Sequence, residues 1–164
     1  MAVQPFLRWP DPRLRRVCDP VERVDDAVRA IWTDMIDTMD AMPGVGLAAC
    51  QIGLMRRLAV VDASEQRGQA VRMANPEILH ASAQLRTHEE ASPNLSGVSA
   101  KVKRPRALTV QFLNEAGEVE ERDFVGLWAT SVQHQIDHLN GQMYFHRLSR
   151  TKRDMLLRKA AKLD

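Results

Sequence analysis

The chain has 164 residues, enough for one domain with a hydrophobic core, and its 45% apolar and 27% charged residues are the balance of an ordinary soluble globular protein. A net charge of +2 gives no reason to expect DNA as a partner, and no apolar run is long enough to suggest a membrane span. Met1 to Arg8 lacks the basic start and apolar core of a secretory leader, so Cys18 and Cys50 are expected to remain thiols in a reducing cytoplasm.

In chain order, Asp11-Pro12 and Asp19-Pro20 mark turns in an irregular N-terminal stretch. Asp25 or Asp26 caps a helix in which Val28, Ile31, Trp32, Met35, Ile36 and Met39 recur at helical spacing, and Pro43-Gly44 ends it. Strands are expected from Leu58 to Val61 and from Val71 to Ala74, the second stopped by Asn75-Pro76. Leu108 to Phe112 alternates and pairs across the Asn114 to Gly117 turn with Glu118 to Phe124. Val125 to Leu139 reads as a helix with the apolar stripe Trp128, Val132, Ile136 and Leu139, and Gly141 terminates it. The last segment, Ser149 to Leu163, reads as a basic amphipathic helix with Met155, Leu156, Ala160 and Leu163 on its apolar side. Strands set between helices without a βαβ rhythm predict an α+β fold, and a single domain over residues 1–164 is expected.

The sharpest local feature is His134-Gln135-Ile136-Asp137-His138. Histidines at i and i+4 share one helix face and can share a metal, although the same spacing also serves as a plain hydrogen-bonded face. Gly44-Val45-Gly46-Leu47-Ala48-Ala49-Cys50-Gln51 follows the first helix. It lacks the Lys and Ser/Thr of a phosphate loop, so nucleotide binding is discounted. His80, His88 and His146 have no partner spacing and are expected to be surface or structural, and Cys50 is expected to be a small buried hydrophobe.

Together these segments resemble peptide deformylases, metallohydrolases that remove the formyl group from the N-terminal methionine of nascent chains. That family carries G-x-G-L-A-A-x-Q, E-G-C-L-S and H-E-x-D-H-L-x-G in order. Gly44 to Gln51 matches the first, and His134 to Gly141 matches the third with Gln135 in place of glutamate. Ser92-Pro93-Asn94-Leu95-Ser96 occupies the place of the second. Leu7 to Arg15, Asn75 to Ile78 and the Asn114–Gly117 hairpin extend the likeness over nearly the whole chain. The resemblance implies antiparallel sheets around a central helix that carries H-x-x-x-H, with a further C-terminal helix.

It also implies site roles. His134, His138 and Asn94 match the three ligands of a divalent metal (Fe, Zn or Ni), with Asn94 where the family has cysteine. A neutral amide is a poor replacement for a thiolate, so the metal is expected to bind weakly or not at all. Gln135 matches the glutamate that shuttles the proton, and an amide cannot do this near neutrality. Gln51 and the Leu95 backbone N–H match the groups that hold the formyl oxygen. Val45, Gly46, Leu127 and Ser131 match residues that line the substrate site. The motif's opening glutamate matches Ser92 in an ungapped alignment to Pro105, or Glu90 after a two-residue slip, and the sequence leaves both open. Pro93 stands where the family has glycine and removes a backbone donor.

The expectation is a deformylase-like protein of strongly reduced activity that still binds an N-formyl or N-terminal Met peptide. The alternative is an active metallohydrolase with altered metal or substrate preference. Residues 147–164 carry seven basic and two acidic side chains, so the C-terminal helix is either a solvated face or, as the resemblance implies, a ribosome contact.

Overall fold

The computed structural model describes residues 2–163; Met1, the start of the N-terminal segment, and Asp164, the last residue of the basic run, lie outside the described residues. Helix α1 (Asp26–Ala41) starts where Asp25 accepts a hydrogen bond from the Val28 N–H at 2.9 Å. Strand β1 (Gly46–Ala48) follows, then a 3-10 turn at Ala49–Ile52, and strands β2 (Leu58–Val61) and β3 (Val71–Ala81). Next come β4 (Leu85–Ser92), β5 (Leu95–Pro105), β6 (Ala107–Leu113), β7 (Val119–Val125), helix α2 (Leu127–Leu139) and helix α3 (Arg150–Ala161).

Five strands form an antiparallel sheet in the order β1-β2-β3-β6-β7, and β4-β5 is a separate hairpin. Alternation along each strand gives the large sheet two apolar faces. Leu47, Leu58, Val60 and Ala74 turn toward Val28, Trp32, Met35 and Met39 of α1. Ala48, Ala59, Val61, Leu108, Val110 and Phe112 turn toward Ala129, Val132, Ile136 and Leu139 of α2. The sheet therefore lies between the two helices, and α2 is central because the β4-β5 hairpin covers its other side.

That hairpin has its own apolar layer, in which Leu95, Val98 and Val102 meet Met143, Tyr144, Phe145, Leu156 and Ala160. Helix α3 differs from its expected face: Leu156 and Ala160 are buried, while Met155 and Leu163 are 62% and 59% exposed. Leu156 and Ala160 are four residues apart and stack on one stripe, whereas Met155 is turned about 100° away.

Strand β3 also runs past its expected end at Ala74. Asn75 takes φ +52, and the pairing with β6 shifts between Ala74 and Glu77. The Asn75 side chain exchanges two 2.8 Å hydrogen bonds with the Val21 backbone, so a bulge replaces the expected strand break.

Polar chemistry, not apolar contact, ties the hairpin to α2. Arg104, 1% exposed, grips Glu90 with Nε at 2.6 Å and Nη2 at 2.9 Å, and reaches Asp137 of α2 through Nη1 at 2.8 Å. Arg147 adds bonds to Asp137 at 2.6 and 2.8 Å. Two carboxylates and two guanidiniums leave the cluster neutral, the condition for burying charge. Burial alone would raise the Glu90 carboxyl, but hydrogen bonds from His134 and Arg104 outweigh it and hold it at about 2. Arg104→Met leaves Glu90 buried without a guanidinium, with only His134 beside it, and Asp137 with Arg147 alone. The expected cost is about 3–5 kcal/mol of unfolding free energy in urea, and a loss below about 1 kcal/mol would contradict this account.

Candidate functional site

A cavity of about 480 Å³ opens between the Met42–Gly46 segment, strand β4 and helix α2. Val45, Gly46, Gln51, Leu127, Ser131, His134 and Gln135 all line it, so most of the residues expected at a site are brought together. Gly46 is required by a close approach: a Cβ there would come within 2.4 Å of both Gln135 Nε2 and Ser131 Oγ. Ser131 holds the same loop by donating to the Val45 carbonyl at 2.8 Å.

Behind this wall, His134 Nδ1 donates to Glu90 Oε1 at 2.8 Å, since an ionised carboxylate only accepts. His134 Nε2 lies 3.1 Å from His138 Nε2, within hydrogen-bond distance. Burial, then the charges of His134 and Arg104, pushes the His138 imidazole well below its usual range and keeps it neutral. The Tyr144 ring stacks on His134 with centroids 6.0 Å apart. Burial and Glu90 raise that phenol to about 12.

Asn94 and Leu95 are not among the residues that line the cavity. The Asn94 carboxamide is fully used inside the protein. Its Nδ2 donates to the carbonyls of Leu7 at 2.7 Å and Gln51 at 3.1 Å. Its Oδ1 accepts from Gln51 Nε2 at 2.8 Å and Ser92 Oγ at 3.0 Å. Asn94 thus clamps the N-terminal segment, the Gln51 turn and the hairpin instead of facing the histidines. Leu95 packs its side chain into the layer under α3.

The cavity wall comes instead from His88, which was expected to be surface or structural, and from Glu90, Ser92 and Pro93, which the sequence placed only as candidates for the opening of the second motif. Strand alternation was the available signal. Arg86, His88, Glu90 and Ser92 share the inner face of β4, and Pro93-Asn94 is the two-residue turn to Leu95. Glu90 is the acid that meets His134. Ser92 follows two residues later, on the same face.

The side chains present do not fit a catalytic divalent cation. Beside the two imidazoles the neighbouring groups are poor ligands: Glu90 is held by Arg104 and His134, and the neutral Ser92 hydroxyl donates to Asn94. Among the described residues no three His, Cys, Asp or Glu groups converge on a metal position. Three buried polar atoms lack a partner: Gln135 Oε1, His138 Nδ1 and the Tyr144 hydroxyl.

Comparison with known proteins agrees with this architecture. Residues 3–154 match the family model "Polypeptide deformylase". The peptide deformylase of Afipia carboxidovorans is 41% identical over 99% of this chain and 96% of its own length. That of Methylocella silvestris is 42% identical over 100% of this chain and 88% of its own. Among solved structures, the Ehrlichia chaffeensis peptide deformylase in complex with actinonin superposes with TM-score 0.93 at 32% identity, covering 100% of this chain and 99% of that one. The Legionella pneumophila enzyme gives TM-score 0.92 at 38% identity over 99% and 95%. With the fold, the glycine-lined cavity and the helix-borne histidine pair in place, the chain belongs to the peptide deformylase family, metalloenzymes that remove the formyl group from nascent chains.

Proposed function

We propose that this family member binds peptide N-termini, formyl-Met or Met, and deformylates them weakly or not at all. One observation carries the reading: the Glu90–His134 contact supports Glu90, rather than Ser92, as the opening acid of the second motif. Ser92 then occupies the cysteine position, and Pro93 the position whose backbone N–H would hold the formyl oxygen. The ligand-to-be is a hydroxyl, the oxyanion donor is absent because proline has no N–H, and Gln135 cannot take a proton. Asn94 is withdrawn from the ligand role expected of it, and Leu95 from the oxyanion role. The lining by Val45, Gly46, Leu127 and Ser131 remains and supports retained binding. A hydrolase using another cation draws on the retained His134/His138 pair; it requires near-stoichiometric zinc, nickel or iron in the wild-type protein.

The test is a formyl-Met-Ala-Ser assay with metal analysis on wild type, Ser92→Cys/Pro93→Leu/Gln135→Glu and Asn94→Cys/Gln135→Glu. The triple variant is expected to gain at least about 10²-fold in kcat/KM and to carry bound metal. The double variant is expected to gain nothing. Wild-type turnover equal to that of the triple variant would sink the reading.

A nascent-chain ligand would be met in the cytoplasm beside ribosomes, and we propose α3 as the contact. Arg150, Lys152, Arg158, Lys159 and Lys162 are exposed there and offer charge to a phosphate backbone. Co-sedimentation with ribosomes is expected to fall in Arg150→Glu/Lys152→Glu/Arg158→Glu and to weaken as salt rises. Unchanged sedimentation would remove the ribosome contact.

A further inference from the structure

We infer that the cavity prefers a peptide whose first side chain ends in a carboxylate over one that begins with methionine. The inference rests on the peptide-binding role proposed above and names the side chain which that role favours. It starts from the wall where β4 meets α2, because hydrogen-bond donors there lack acceptors. Arg86, on the inner face of β4, is half-buried and donates Nη1 to Thr130 Oγ1 at 2.9 Å. Its cross-strand neighbour is Arg104, which is committed to Glu90 and Asp137. Among the described residues no carboxylate comes within ion-pair distance of Arg86. Two like charges therefore face each other across the hairpin, and only one of them is neutralised.

Thr130 and His88 carry that surplus to the cavity, which both of them line. The Thr130 oxygen accepts from Arg86, and its hydroxyl hydrogen has no acceptor among the described residues. A hydroxyl polarised by a guanidinium is a stronger donor to a third group. The His88 imidazole, two residues along the same face as Arg86, has no hydrogen-bond partner among the described residues. The neighbouring acids do not compete for these groups. Glu90 is held by Arg104 and His134. Glu89 belongs to the outer face of β4, where it accepts from Ser99 Oγ at 2.9 Å and stands opposite Lys101. A methionine side chain has only a weakly accepting sulfur to offer this wall and would cover the donors without using them. A glutamate side chain can lay its methylenes along Pro43, Val45 and Leu127 and bring acceptor oxygens and a negative charge to the donors.

The experiment is calorimetric titration of the full-length protein at pH 7 with formyl-Glu-Ala-Ser, formyl-Gln-Ala-Ser and formyl-Met-Ala-Ser, which differ only in the first side chain. The Glu peptide is expected to bind at least about tenfold more tightly than the Met peptide, the scale of one hydrogen bond to a charged group, with the Gln peptide between them. Arg86→Met and the near-isosteric Thr130→Val are each expected to erase the preference for Glu, and His88→Leu to turn it toward Met. Equal affinity of the Glu peptide and either of the others, a preference for Met, or a Glu preference that survives both Arg86→Met and Thr130→Val overturns this inference while leaving the binding role standing. Failure of all three peptides to bind at millimolar concentration overturns both.

Discussion

The ion cluster of buried Glu90, Arg104 and Asp137, joined from the surface by Arg147, is the constraint on which the site's arrangement depends. It sits where three separate chain segments meet, and its neutrality requires all four partners at once. Because Arg104 holds Glu90 from the neighbouring strand, the β4-β5 hairpin cannot slide without burying an unpaired charge. That fixed register decides which residues face the histidines. Glu90 orients His134, Ser92 comes next on the inner face, and Pro93-Asn94 is left to turn the corner. A slip of two residues would exchange Ser92 for Asn94 at the cavity and open the cluster.

The same register gives Asn94 a structural task. Its carboxamide joins Leu7, Gln51 and Ser92, so the Gln51 side chain is immobilised from one side by Asn94 and from the other by the Ala48 N–H at 2.9 Å. The polar groups of Gln51 and Asn94 are satisfied within the protein. At the cavity, Gly46 leaves room for the Gln135 and Ser131 side chains.

The fold was legible where apolar periodicity was strong. Helices α1 and α2, strand β2 and the β6-β7 hairpin fall close to the expected positions because each buries a regular stripe. Strands β4 and β5 gave no such signal, since the inner face of β4 is Arg86, His88, Glu90 and Ser92 and its partners are charged. Apolar alternation cannot mark a strand whose buried face is an ion cluster. The histidine pair, Gly46, Gln51 and Ser131 were readable from motif spacing. Which residue of the β4-β5 turn stands beside the pair was not, because it depends on a tertiary ion pair between residues fourteen apart, Glu90 and Arg104, whose pairing only the folded hairpin reveals.

The central claim concerns the histidine pair and what stands beside it. Anomalous diffraction at the zinc edge, from crystals grown with excess zinc at neutral pH, tests it most directly. The account predicts no ordered cation between His134 and His138, with their Nε2 atoms in mutual contact. A fully occupied zinc ion held by both rings together with Ser92 or Asn94 would contradict it.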